Sequence, residues 1–191
     1  MKIYNNDEWG LDTAIRGMRN SWCSHEKSDD GGDKDVTLMK KLIKAGVSHR
    51  KFLRFIQVSF DIEMPLYWWK HFDTYKVGTN CNSESTMHTI MKKELTINDF
   101  EDEEDNYFNI SLRQLNSYIN LYKKTKDKFY FNKVIKRLPC SFIQKRTVQT
   151  NYEVLLKIIH ERKNHKLREW EFFIEKIYEF FPLLKEFVEI L

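Results

Sequence analysis

Residues 138–162 read LPCSFIQKRTVQTNYEVLLKIIHER. Leu138-Pro139 breaks a helical pattern, because the residue before a proline is pushed out of the helical region. Asn151 opens a new pattern that runs to Arg162. Eleven positions separate these two residues, almost three whole turns. Both therefore project from one helix face, about 16 Å apart. That span suits an extended ligand such as a dinucleotide or two stacked rings. Two solvated polar positions would read the same way.

Working outward, residues 111–126 and 128–137 carry helical periodicity, and so do residues 166–191, where Pro182 forces a kink or split. Towards the N-terminus, residues 52–62 change period. Ile56, Val58, Phe60 and Ile62 alternate with Gln57, Ser59 and Asp61, the mark of a half-buried strand. A helix follows from Pro65 to about Lys76, bearing Leu66, Trp68, Trp69 and Phe72. Residues 77–86 are small and polar, a plain loop or a binding loop. If they lead into a helix, its end is an anion site, unless Ser83 or Ser85 simply caps it. Residues 12–23 form the first helical stretch, with Ile15, Met18 and Trp22 on one face and Arg16 and Arg19 on another part of the surface. Residues 24–33 are polar with paired glycines, and are expected to be the most mobile part of the N-terminal half. Residues 36–45 make a short helix that Gly46 stops. The acidic run 99–105 reads as a solvated connection. The count is six or seven helices with one clear strand, and further strands in the poorly patterned parts.

A chain of 191 residues is long enough for one self-sufficient domain, and a single domain over 1–191 is expected. Its 41% hydrophobic and 31% charged residues exclude a wholly disordered chain, and no run is long and apolar enough to span a membrane. Only 6 Gly and 3 Pro disfavour an all-β sandwich. Three scattered cysteines make no disulfide framework or zinc site, and the first residues lack an apolar signal segment, so a reduced, cytoplasmic protein is expected. The net charge of +4 sits on nearly balanced acids and bases, which disfavours a nucleic-acid binder despite the lysine-rich residues 123–136. His160 and His165 are five apart, which turns them about 140° from each other on a helix and argues against a metal pair. No P-loop, Gly-x-Gly-x-x-Gly or nucleophilic triad context is present. Basic groups recur at 49–51 with Arg54, at 123–128, at 136–137, at 145–146 and at 162–168. Each alone reads as a solvated face, and several converging would make a phosphate site.

Taken in order, these segments resemble the flavin-dependent thymidylate synthases. That family's signature RHRxxSxNExSxRY follows a strand and an aromatic-rich helix, the place held here by residues 75–88, with Asn82 and Ser85 identical. Residues 14–22 resemble its opening AxRxxRxSF, and His49 precedes the strand. Residues 138–162 reproduce without a gap the spacing of LPxxxYTxxxWTxNARxLxxFLxLR, and His165 with Trp170-Glu171 resembles the following xxHAQWEIR with one extra residue.

The resemblance implies an α+β fold, a helical bundle packed beside a curved antiparallel sheet, in a homotetramer. It implies FAD as cofactor, NADPH and methylenetetrahydrofolate as co-substrates, and a pyrimidine nucleotide of the dUMP type as substrate. Matched position by position, Ser21, His49, Lys76 and Asn151 fall at flavin positions, and Asn82, Ser85 and Arg162 at nucleotide positions. Arg137 or Lys136 lies near a second phosphate-binding arginine. Arg162 is the implied catalytic group, holding the pyrimidine and stabilising negative charge on it. The departures are Tyr75, Lys76 and Val77 for the Arg-His-Arg, Ser83 for the glutamate, Met87 for the phosphate arginine and Glu153 for the arginine of NAR. Together they point to a changed ligand, a changed reaction or a lost one. A non-catalytic nucleotide-binding or regulatory protein on the same scaffold is the alternative, and a basic nucleic-acid binder a more remote one.

Overall fold

The computed structural model describes residues 1–191. The chain divides into two compact units. The first comprises residues 1–2, 62–74 and 82–146, and the second residues 3–61, 75–81 and 147–191. Four strands form one open antiparallel sheet: β1 (Lys2–Trp9), β2 (Gln57–Pro65), β3 (Asn80–Ser83) and β4 (Ile143–Asn151), in the order β1-β2-β4-β3. Helices accompany the sheet, so the fold is α+β, and no helix is long and apolar enough to cross a membrane.

β2 follows its alternation, with Val58, Phe60, Ile62 and Met64 buried and the intervening residues half-buried. It begins at Gln57, later than the sequence expectation, because residues 51–54 wind into a 3-10 turn that buries Phe52 and Leu53. β1 and β4 carry no apolar alternation. In β1 only Ile3 is buried, and β4 buries only Val148, Thr150 and Asn151. The stretch read as a loop at 77–86 is in part a strand, β3.

In the first unit, α5 (Asn106–Thr125) and α6 (Lys128–Arg137) pack as a helical hairpin. Asp105 caps α5 through the Phe108 N–H at 2.7 Å, and Asp127 caps α6 through the Phe129 N–H at 2.8 Å. Leu115, Ile119 and Val134 join Ile90, Leu95, Phe100 and Phe108 in its core. α3 (Leu66–Phe72) contributes a second cluster, in which Trp68, Trp69 and Phe72 lie ring to ring at 5.1–5.5 Å.

In the second unit, α7 (Tyr152–Arg162) packs on the 51–54 turn, on α8 (Glu169–Phe180) and on α9 (Pro182–Glu189). The long C-terminal helix splits at Phe181, and Pro182 takes the first turn of α9, where its missing N–H costs nothing. α1 (Leu11–Arg19) and α2 (Asp33–Lys44) bracket the 24–33 loop. Arg19, expected on the surface, is buried. Its Nε donates to Asp35 Oδ1 at 2.8 Å, and its Nη groups reach that carboxylate and the carbonyls of Ser24 and Lys27. The loop expected to move is thereby tied down, because Asp35 also accepts from Ser28 Oγ at 2.6 Å and from the N–H groups of Asp29 and Gly31. Burial alone would raise the Asp35 carboxyl, but those hydrogen bonds outweigh it and hold the pKa down to about 2.

Candidate functional site

α7 is anchored at both ends by residues 75–79. At its start, Asn151 is the N-cap, its Oδ1 accepting from the Val154 N–H at 3.1 Å while its Nδ2 donates to the Gly78 carbonyl at 3.4 Å. Thr150 Oγ1 also donates to that carbonyl at 3.2 Å and lies 3.0 Å from Thr79 Oγ1. Gly78 sits at φ +79°, and a Cβ there would lie 3.0 Å from Asn151 Nδ2 and 3.2 Å from Val154. Only glycine fits both the backbone angle and the approach.

This clamp leaves a cavity of about 300 Å³ lined by Arg54, Val77, Gly78, Asn151, Glu153, Val154 and Lys157. Three positions picked out by the family resemblance, Val77, Asn151 and Glu153, thus line one cavity. Arg54 and Lys157 supply positive charge, and Val77 and Val154 supply apolar surface. One Nδ2 hydrogen of Asn151 is left for a ligand. The donor set therefore fits a group that joins phosphates to a flat ring system.

Glu153, which the sequence left as an inverted charge, is answered from within the chain. Arg50 Nε lies 3.0 and 3.3 Å from its two carboxylate oxygens and Nη2 3.2 Å from Oε1. Both side chains are mostly buried. The fork matches the planar carboxylate, so the Glu153 charge is balanced by Arg50. Arg50 and Glu153 also line a second cavity of about 380 Å³ with Val47, Leu156, Lys157, His160 and Leu191. Arg50 was visible in the sequence only as part of the 49–51 basic group.

At the far end of α7, Arg162 is half-buried. Its Nε donates to the Tyr75 hydroxyl at 2.9 Å, and that hydroxyl donates to Glu161 Oε2 at 2.8 Å. The guanidinium carbon lies 5.5 Å from the Tyr75 ring centre and 5.1 Å from that of Trp170, within cation–π range of both. Burial, and then the bond to Glu161, push the Tyr75 phenol up against the opposing pull of Arg162. The fold is that of the flavin-dependent thymidylate synthases. One solved structure, "flavin dependent thymidylate synthase ThyX from helicobacter pylori complexed with FAD and dUMP", superposes with TM-score 0.80 at 19% identity, covering 98% of this chain and 97% of that one. A second ThyX structure from Helicobacter pylori, also with FAD and dUMP, gives TM-score 0.81 at 18% identity over 98% and 99% of the two chains. No protein-family model matches the sequence, and no curated protein does.

Of the other residues picked from the resemblance, Ser21, His49 and Lys76 are exposed in the second unit. Ser21 lies in the 3-10 turn after α1, and His49 precedes the 51–54 turn. In the first unit, Asn82 is exposed on β3, and Ser85 precedes the helix α4 (Thr86–Thr89). That helix is four residues long, too short for the helix-end anion site that the sequence suggested, and the Ser85 side chain does not cap it. Arg137 donates to the Tyr118 hydroxyl at 2.8 Å. Arg146, from the 145–146 basic group, donates to Asp73 at 2.6 Å and lies over the Trp69 ring. His165 Nδ1 accepts from the Leu167 N–H at 3.1 Å, and no set of three His, Cys, Asp or Glu side chains is placed to hold a metal.

Proposed function

We propose that this chain is a flavin-dependent thymidylate synthase-like protein that binds FAD and a pyrimidine deoxynucleotide of the dUMP type, and acts on that nucleotide as a homotetramer. The observation that carries the reading is the pair of structures at the two ends of α7: a cation-bearing cavity at Asn151 and a presented guanidinium at Arg162, on the fold of proteins solved with FAD and dUMP.

In this reading Arg54 and Lys157 meet the cofactor's phosphates, Asn151 gives its remaining Nδ2 hydrogen to the ring system, and Ser21, His49 and Lys76 complete the flavin contacts. Arg162 holds the pyrimidine edge and stabilises negative charge that develops on its carbonyl oxygen and ring nitrogen. In the first unit, Asn82, Ser85 and Arg137 stand at the positions that the resemblance assigns to a nucleotide. Bound FAD supplies hydride once reduced, with NADPH as its reductant and methylenetetrahydrofolate as the one-carbon donor. One observation favours a second reading, a nucleotide-binding protein without turnover. Val77 and Met87, at positions where the resemblance has arginines, are 91% and 55% exposed and offer no charge.

The test is titration of FAD and dUMP into the wild-type chain and Arg162→Ala. The expected result is flavin absorbance on the protein and saturable dUMP binding, with the variant losing dUMP at unchanged melting temperature. Unfolding of the variant would make Arg162 a structural residue. NADPH oxidation dependent on a pyrimidine nucleotide would eliminate the second reading.

A further inference from the structure

Tyr75 is buried, and its hydroxyl stands between two charged groups of α7. The phenol donates to the Glu161 carboxylate, which makes its oxygen a better acceptor for Arg162 Nε. Its raised pKa keeps the donating proton in place at ordinary pH. A guanidinium offers two bidentate forks, the Nε–Nη side edge and the Nη–Nη end. With Nε engaged by Tyr75, the side edge is taken and the end remains. The ring faces of Tyr75 and Trp170 hold the plane of the group. Freezing a flexible arginine before a ligand arrives removes an ordering cost from binding.

We propose that Tyr75 is a positioning residue, fixing Arg162 so that its terminal Nη pair meets the ligand. The ligand must then present two adjacent in-plane acceptors, such as a pyrimidine carbonyl oxygen and a ring nitrogen without its proton. This inference rests on the nucleotide reading above, and Tyr75 acts only through Arg162.

The experiment is a mutant cycle of Tyr75→Phe and Arg162→Lys, titrated with dUMP and with FAD. The Arg162 Nε–H resonance is followed by ¹H–¹⁵N spectroscopy. Tyr75→Phe keeps the ring and removes the hydroxyl. It is expected to weaken dUMP about tenfold, the scale of a hydrogen bond to a charged group. FAD affinity and melting temperature should stay put, and the Nε–H should pass from slow to fast solvent exchange. In the Arg162→Lys background, which lacks the Nε, Tyr75→Phe should add nothing. Equal weakening in both backgrounds would overturn the proposal. So would unchanged dUMP affinity in Tyr75→Phe, or parallel loss of FAD affinity and stability. If the wild type binds no dUMP, the functional reading falls. The Nε–H exchange then decides the positioning by itself, an unchanged rate in Tyr75→Phe overturning it.

Discussion

Replacing Asp35 by alanine is expected to destabilise the protein by about 3–5 kcal/mol, the usual cost of removing one partner of a buried ion pair. Asp35 is 0% exposed and Arg19 4% exposed, so the stranded guanidinium would be left largely out of water. Its Nε loses its partner outright, and the Nη groups keep only the carbonyls of Ser24 and Lys27. Ser28 Oγ and the N–H groups of Asp29 and Gly31 lose their acceptor as well. The same carboxylate should shape the acid limb of stability. Its folded pKa of about 2 lies below the ordinary aspartate value near 3.9. The folded state therefore favours the charged form. That contribution, of order 2 kcal/mol, is complete above about pH 5 and is lost as pH falls through 4 towards 2. Urea unfolding of the wild type and Asp35→Ala from pH 2 to 7 measures both effects. The difference between the two proteins should be largest near neutrality and shrink in that acid window. A loss below about 1 kcal/mol, or a difference that ignores pH, would refute the buried-pair account.

Two further perturbations test the clamp on α7. In a double-mutant cycle of Arg50→Ala and Glu153→Ala, denaturant unfolding should reveal a coupling of about 1–2 kcal/mol, since both side chains are mostly buried and the contact is a fork. Gly78→Ala should cost about 1–3 kcal/mol by thermal unfolding, from the positive φ and the 3.0 Å approach of Asn151, and should weaken FAD binding by displacing the 76–79 loop.

The sequence was readable where one residue type decides one structure. The alternation at 56–62, the break at Pro139, the stop at Pro182 and the register of 151–162 each correspond to an observed element or boundary. β1 and β4 were not readable, because their faces are largely polar and only pairing with neighbours makes them strands. Arg19 and Arg16 look alike three residues apart. What separates them is Asp35, sixteen positions from Arg19, and nothing local announces that pairing. The same holds for the site. The helical register from Asn151 to Arg162 was legible from spacing, but Tyr75 lies 87 positions from Arg162 and Arg50 lies 103 from Glu153. Those partners become visible only when the chain is folded, and one of them, Arg50, balances the charge of Glu153.

A structure of the protein soaked with FAD and dUMP would show whether α7 carries the nucleotide and the cofactor. The expected result is the pyrimidine edge on the terminal nitrogens of Arg162, with cofactor phosphates near Arg54 and Lys157. A base bound away from Arg162, or a flavin that leaves the Asn151 cavity untouched, would contradict it.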